Sequence, residues 1–206
     1  MTDVVINASK TSYRWRVVDI AVASVIGVAS SLVYWLVATL TYTPWSVLDA
    51  AVPGLPGLFN GLWLFAGPLA LVIVRKPGAG LYAEVVAAVL EALLGNIWGI
   101  GTLYIALVQG AMAEVGFAVF AWRRWNLPVT ILSGALSALG CWGYSFFTNM
   151  QAIDIAGSYG LVYVLTTVLS GIVFAGVIVW YLYVAIARTG ALDKFASGRE
   201  IRGVQA

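Results

Sequence analysis

The residues best able to do chemistry in this chain are acids placed where acids are costly. Glu84, Glu91 and Glu114 each sit well inside apolar sequence. A carboxyl group in hydrocarbon is expensive unless it is paired or hydrated, so such residues are candidates for a site. Glu84 and Glu91 are seven residues apart, two helical turns, and so share one helix face. Gln109 and Glu114 lie on the next apolar segment, which returns antiparallel after the tight turn Gly95–Gly99. Counting about 1.5 Å per residue from that turn puts Glu84 and Gln109 at similar depth. Glu91 then lies toward one end and Glu114 toward the other. One polar seam between two neighbouring helices can hold them all.

No Lys or Arg inside the apolar segments answers these carboxyls. Acids, amides and aromatics together suit a cationic or amine-bearing ligand, because ring faces attract cations. Asn60 and Trp63 in the second apolar segment, and Trp142 and Tyr144 in the fifth, add hydrogen bonding and stacking. The plainer alternative is that the acids join helices by hydrogen bonds. For Glu114 that alternative includes an ion pair with Arg123 or Arg124. Asp19, at the edge of its segment, has Arg16 as a nearby partner.

Other chemistries are excluded by absence. The chain has no histidine and one cysteine, Cys141. Zinc, copper and nickel sites need those residue types, as do His-based triads and Cys–His dyads. No metal site, no cofactor and no enzymatic activity are expected. The run Gly95–Gly101 is a turn between helices, not a phosphate loop, and no Gly-rich loop ends in Lys-Ser or Lys-Thr. No basic groove points to nucleic acid.

The elements that position these residues are membrane helices. Hydrophobic residues make up 62% of the 206 and charged residues only 10%, more apolar surface than a soluble core hides. Six apolar stretches approach the length that crosses a bilayer: 17–40, 55–74, 80–94, 101–122, 128–147 and 160–187. The third is short, and the first is too long for a cleaved signal sequence. The expectation is an all-α polytopic membrane protein of six transmembrane helices, one domain over residues 1–206, with a tail from 188 to 206.

Charge orients the model. Lys10, Arg14 and Arg16 precede the first span, Arg75 and Lys76 follow the second, and Arg123 and Arg124 follow the fourth. Arg188, Lys194, Arg199 and Arg202 follow the last, so all eleven basic residues fall on one side of a six-span chain. The positive-inside rule then puts both termini in the cytoplasm of a bacterial-type cytoplasmic membrane. The opposite connections carry Tyr42, Trp45, Asp49, Asn96, Trp98, Gln151 and Asp154. Their aromatics are interface anchors or the roof of a pocket.

Ala23, Gly27 and Ser31 recur every four residues on the first span. Such a strip lets another helix approach closely, either within the molecule or from a partner. The pattern alone favours packing within the molecule.

The order of several segments resembles the YkoE-type substrate-binding subunits of energy-coupling factor (ECF) transporters, associated with thiamine and its hydroxymethylpyrimidine precursor. The segments are WRVVDI from Trp15, PGLPGLFNGLWLFAG from Pro53 and RKPGA from Arg75, then Glu84, EALLGNIWG from Glu91 and QGAMAE from Gln109. The likeness is strong from about residue 15 to 125 and continues by pattern beyond. It implies six helices, an outward-facing vitamin pocket and no ATPase of its own. It also implies two kinds of partner, a transmembrane coupling subunit and cytoplasmic ATPases. Families of this kind dock through small-residue strips on the first helix. Ala23, Gly27 and Ser31 are the matching candidates and depart from strict alanines.

The resulting expectation is a capture subunit for thiamine or hydroxymethylpyrimidine. Glu84, Glu91 and Gln109 would read the pyrimidine edge, with Asn60 adding a hydrogen bond. Trp63, Trp98 and Trp142 would stack on the ligand or close over it, with Tyr144 and Glu114 as further lining candidates. The alternative is a proton-coupled secondary transporter of a small cationic or amine-bearing solute, with Glu84 or Glu91 as the proton site. An intramembrane enzyme lacks a nucleophile–base pair. A purely structural subunit leaves the buried acids without a ligand.

Overall fold

The computed structural model describes residues 13–203. Lys10 lies outside them, so the charge pattern is followed from Arg14 onward. All regular structure among the described residues is helical.

Helix α1 (Val17–Ala51) opens at Arg16 with a reciprocal cap. The Arg16 backbone N–H donates to Asp19 Oδ2 at 2.8 Å, and the Arg16 side chain pairs with Asp19 Oδ1 at 2.7 Å. Asp19 is fully buried, and this pairing with Arg16 accounts for an acid inside the span.

The helix then continues well past Leu40, through Pro44, to Ala51. A connection was expected from Thr41 to Gly54. Instead its aromatic residues ride on the last turns of α1, where Trp45 stacks on Phe59 at 6.1 Å.

The second apolar stretch is not one helix. Residues Leu55–Trp63 wind as a 3-10 helix, and α2 (Ala66–Val74) follows. A 3-10 run of this length is unusual, because its hydrogen bonds are poorer than those of an α-helix. Here the sixth membrane segment supports it. Gly57 and Gly61 let it approach so closely that a Cβ on Gly61 would lie 2.4 Å from the Ser170 carbonyl oxygen. Hydroxyls then satisfy its backbone. The Gly61 N–H donates to Ser170 Oγ at 2.9 Å, Ser170 Oγ donates to the Leu58 carbonyl, and Thr166 Oγ1 donates to the Gly54 carbonyl. Irregular backbone at membrane depth survives where protein groups satisfy it in this way. Every residue of α2 is buried, and α2 touches α1, α3, α4, α5, α7 and α8. It is the central post of the bundle.

The remaining elements pack around that post. They are α3 (Ala79–Leu93), α4 (Gly101–Ala118), α5 (Leu127–Asn149), α6 (Ser158–Ser170), a π-helical stretch Gly171–Ile178, α7 (Val179–Arg188) and α8 (Ala196–Arg202). α3 lies between α1 and α4, α4 lies against α5, and α5 lies against the π-helical stretch.

Five helical segments among the described residues, not six, are long and apolar enough to cross a membrane. The expected third span is α3, whose 15 residues reach about 22 Å at ~1.5 Å per residue. That is short of a hydrocarbon core of about 30 Å. The chain is a multi-pass membrane protein in which α3 is shielded by its neighbours.

The strip Ala23, Gly27 and Ser31 is buried. A Cβ on Gly27 would lie 2.7 Å from Val86 Cγ1 on α3. Gly27 therefore packs closely on α3.

Candidate functional site

A cavity of about 630 Å³ opens between the ends of α1 and α5 and the turn joining α3 to α4. That volume lies in the range of small-molecule sites. Its mouth is at the end of the bundle opposite the Arg75–Lys76 and Arg123–Arg124 turns, since α3 and α4 run from one end to the other. Glu84, Glu91, Gln109, Asn60, Trp63, Trp98 and Tyr144 all line it.

The two acids come from one face of α3, as their spacing predicts, and both are 1% exposed. Glu84 sits at the floor. Its Oε1 accepts the Gly67 N–H at 2.8 Å, and the Tyr34 hydroxyl lies 3.3 Å from both its oxygens. Tyr34 in turn accepts the Ala66 N–H at 3.0 Å. Gly67 and Ala66 open α2, whose first N–H groups have no partners within the helix. Glu84 and Tyr34 therefore cap α2 in the middle of the bundle. The same carboxylate both holds the central post and faces the cavity.

Glu91 is less occupied. Trp63 Nε1 donates to its Oε1 at 3.3 Å, with Asn96 beside it. A carboxylate has about four acceptor sites, so Glu91 retains capacity for a ligand.

Asn60 is oriented by its neighbours. Its Nδ2 donates to Tyr163 Oη and Thr167 Oγ1, both at 2.9 Å. The two amide hydrogens are thereby used, and the carbonyl oxygen is what Asn60 can offer a ligand.

Gln109 comes to the depth of Glu84 because α4 packs tightly on α3. A Cβ on the adjacent Gly110 would lie 3.2 Å from Glu84 Cβ. Ser137 Oγ donates to the Gln109 carbonyl at 3.1 Å and fixes α5 against this turn of α4.

The upper walls are aromatic. Trp98, in the α3–α4 turn, meets Trp63 edge-to-face at 5.7 Å. Asn96 shapes that turn: its Oδ1 accepts the Gly99 N–H at 2.8 Å, and its Nδ2 donates to Thr102 Oγ1 at 2.6 Å. Trp45 and Tyr42 line the cavity from the extension of α1. The lining holds two carboxylates and neither Lys nor Arg.

Two expected residues lie elsewhere. Trp142 stacks on Phe146 at 5.9 Å and does not line the cavity, because it faces away from the α5 side that carries Cys141, Tyr144 and Ser145. Glu114 is at the other end of α4. Its carboxylate accepts the Gly80 N–H at 2.8 Å and Trp122 Nε1 at 3.3 Å. It caps α3 as Glu84 caps α2, so the seam divides rather than running on as one. Backbone and indole donors hold Glu114, in place of the ion pair considered from sequence.

Sequence reasoning did not select Tyr34, Tyr163 or Cys141, which also line the cavity. A hydroxyl well inside an apolar span was the available signal for Tyr34. Nothing local distinguished the cysteine from a packing residue.

Known proteins share this architecture. The family model described as the permease component of an ABC-type cobalt transport system matches residues 18–140. The "Putative HMP/thiamine permease protein YkoE" of Bacillus subtilis (strain 168) is 32% identical over 191 residues, 91% of this chain and 92% of that protein. The crystal structure of an S-component of an ECF transporter matches with a TM-score of 0.84 at 31% identity, over 92% of this chain and 94% of that one. These relatives are transport components, not enzymes. With the sequence likeness running the length of the molecule and the fold agreeing, the chain belongs to the YkoE-type substrate-binding (S) components of ECF transporters.

Proposed function

We propose that this S component captures thiamine or its hydroxymethylpyrimidine precursor from outside the cell, and that partner subunits drive its release inward with ATP. The observation that carries the reading is the lining of the cavity: two carboxylates, three amides and several aromatics, with no cation. An aminopyrimidine offers an amino donor and ring-nitrogen acceptors, and thiamine adds a thiazolium cation. Glu91 and the Asn60 carbonyl suit the amino group. Gln109 can donate to a ring nitrogen. Trp63, Trp98 and Tyr144 suit the flat rings, and the cation gains from both the aromatic faces and the acids. The name of the Bacillus relative supports the same pair of substrates. Cobalt, named for the matching family model, is a poor fit to a chain with no histidine and one cysteine.

The partners in this reading are a transmembrane coupling subunit and cytoplasmic ATPases. The membrane is the bacterial cytoplasmic membrane, with both termini inside. The one-sided distribution of Arg and Lys supports that orientation.

Calorimetry on the purified protein, alone and with its partners, tests the ligand. Saturable heat with thiamine or hydroxymethylpyrimidine is expected, and silence with both sinks the claim. Uptake that stops on ATP depletion but persists with an uncoupler supports the partner-driven mode. The reverse result would favour a proton-coupled carrier.

A further inference from the structure

A second cleft lies at the other end of the bundle, and neither the capture site nor the family assignment accounts for it. Five cations line it: Arg14, Arg16, Arg75, Lys76 and Arg199. No acid lines it. Two carboxylates lie behind this surface. Asp19 pairs with Arg16 and also faces Lys76, and Glu200 pairs with Arg75 at 2.6 Å. Among the described residues, the cations of this concave space outnumber the carboxylates that face them.

Arg75 is largely buried. Its side chain is 17% exposed, and its guanidinium lies 5.8 Å from the Trp125 ring centroid. Its Nε is the one buried side-chain nitrogen or oxygen among the described residues that lacks a hydrogen-bond partner. A buried donor without an acceptor is costly and calls for a ligand or water. Arg75 also closes α2 in a left-handed conformation, φ 56°, which fixes where the guanidinium starts.

The cleft sits where the helices end. Arg16 caps α1, Arg75 ends α2 and Phe195 precedes α8. Trp15, Trp125 and Phe195 form apolar walls beside the cations, and Arg16 lies over the Phe195 ring at 5.6 Å. α8 is clamped there: Tyr183 Oη donates to the Ser197 carbonyl at 2.7 Å, and Ser197 Oγ donates to the Ile73 carbonyl at 2.7 Å. The cleft is thus built from rigid elements. Basic pockets at the ends of membrane helices match phosphate headgroups, and arginine forks suit phosphate oxygens.

We propose that this cleft binds a phosphate-bearing anion, held by Arg75 at its base and by Arg14, Lys76 and Arg199 around its rim. Two sources share that chemistry, an anionic phospholipid headgroup and free phosphate.

The test uses the full chain in an uncharged detergent. Binding of short-chain phosphatidylglycerol, short-chain phosphatidylcholine and inorganic phosphate is measured by calorimetry. Phosphatidylglycerol should bind saturably, and about tenfold or more tighter than phosphatidylcholine. Arg14→Gln with Lys76→Gln should weaken it by about tenfold or more, while thiamine binding at the far end is unchanged. Displacement of the lipid by inorganic phosphate assigns the site to phosphate itself. Failure to displace assigns it to the lipid. Equal binding of the two lipids, or equal binding by the double variant, overturns the proposal. If the double variant does not fold, Arg199→Gln and the salt dependence of the wild-type chain decide. Binding that raised salt does not weaken overturns it equally. Silence with both anions, with capture of a partner subunit lost in the variants, also overturns it and gives the cleft to a protein contact.

Discussion

The Glu84 carboxylate lies 2.8 Å from the Gly67 backbone nitrogen, and that hydrogen bond joins the floor of the cavity to the start of the central helix. One residue thus does two jobs that separate experiments can resolve. Glu91, on the same face two turns away, makes no such hydrogen bond to α2.

Glu84 and Glu91 should respond differently to substitution. Glu84→Ala leaves the α2 N-terminus and Tyr34 without their acceptor, and should cost about 1–3 kcal/mol of stability as well as affinity. Glu91→Gln should lower ligand affinity about tenfold with little change in melting temperature, since a charge-assisted bond to the ligand is replaced by a neutral one. Calorimetry and a thermal melt on each variant check the pair. Equal melting losses would mean that Glu91 is structural too.

Gly61→Ala should damage the site without touching it. The new Cβ meets the Ser170 carbonyl oxygen at 2.4 Å, a backbone atom that cannot swing aside. The 3-10 helix must move off α6, at a cost of about 1–3 kcal/mol. Asn60 moves with it, so affinity falls alongside thermal stability. Gly143→Ala is the control, because nothing lies within 4 Å of a Cβ there.

Cys141 offers a direct footprint. It is the only thiol in the chain and it lines the cavity. Saturating thiamine should slow its reaction with a small methanethiosulfonate reagent several-fold, as read by mass spectrometry. An unchanged rate would place the ligand elsewhere.

The tryptophans divide by position. Trp98→Ala removes one wall of the edge-to-face pair with Trp63 and should weaken binding by about 0.5–1.5 kcal/mol or more. Trp142→Ala, outside the cavity, should leave affinity within about twofold while disturbing the Phe146 stack. Titration of the remaining tryptophan fluorescence with ligand measures both.

The parts legible in the sequence were those set by local rules. The seven-residue spacing of Glu84 and Glu91 put both on one face, and the tight Gly95–Gly99 turn brought Gln109 level with Glu84. The second apolar segment was not legible. Twenty apolar residues read alike whether they form one helix or a 3-10 helix followed by a short α-helix. The choice is made by Thr166 and Ser170, more than a hundred residues downstream. The partners of Glu114 were not legible for a related reason. Its depth was inferred correctly, but the Gly80 N–H that it accepts is a helix end, and no side-chain pattern advertises a backbone donor. The small strip on α1 carried no label to say which helix would pack on it, and Gly27 lies against α3.

The 3-10 helix at Leu55–Trp63 also sets an order of assembly. Its segment enters the bilayer early in synthesis as an ordinary greasy stretch. The hydroxyls that make its final shape tolerable arrive only with α6. At ~5–20 residues per second, the ribosome imposes a wait of several seconds or more between the two. The cavity wall that carries Asn60 therefore reaches its final form only after that segment has been made. That wall waits for α6 to dock against it.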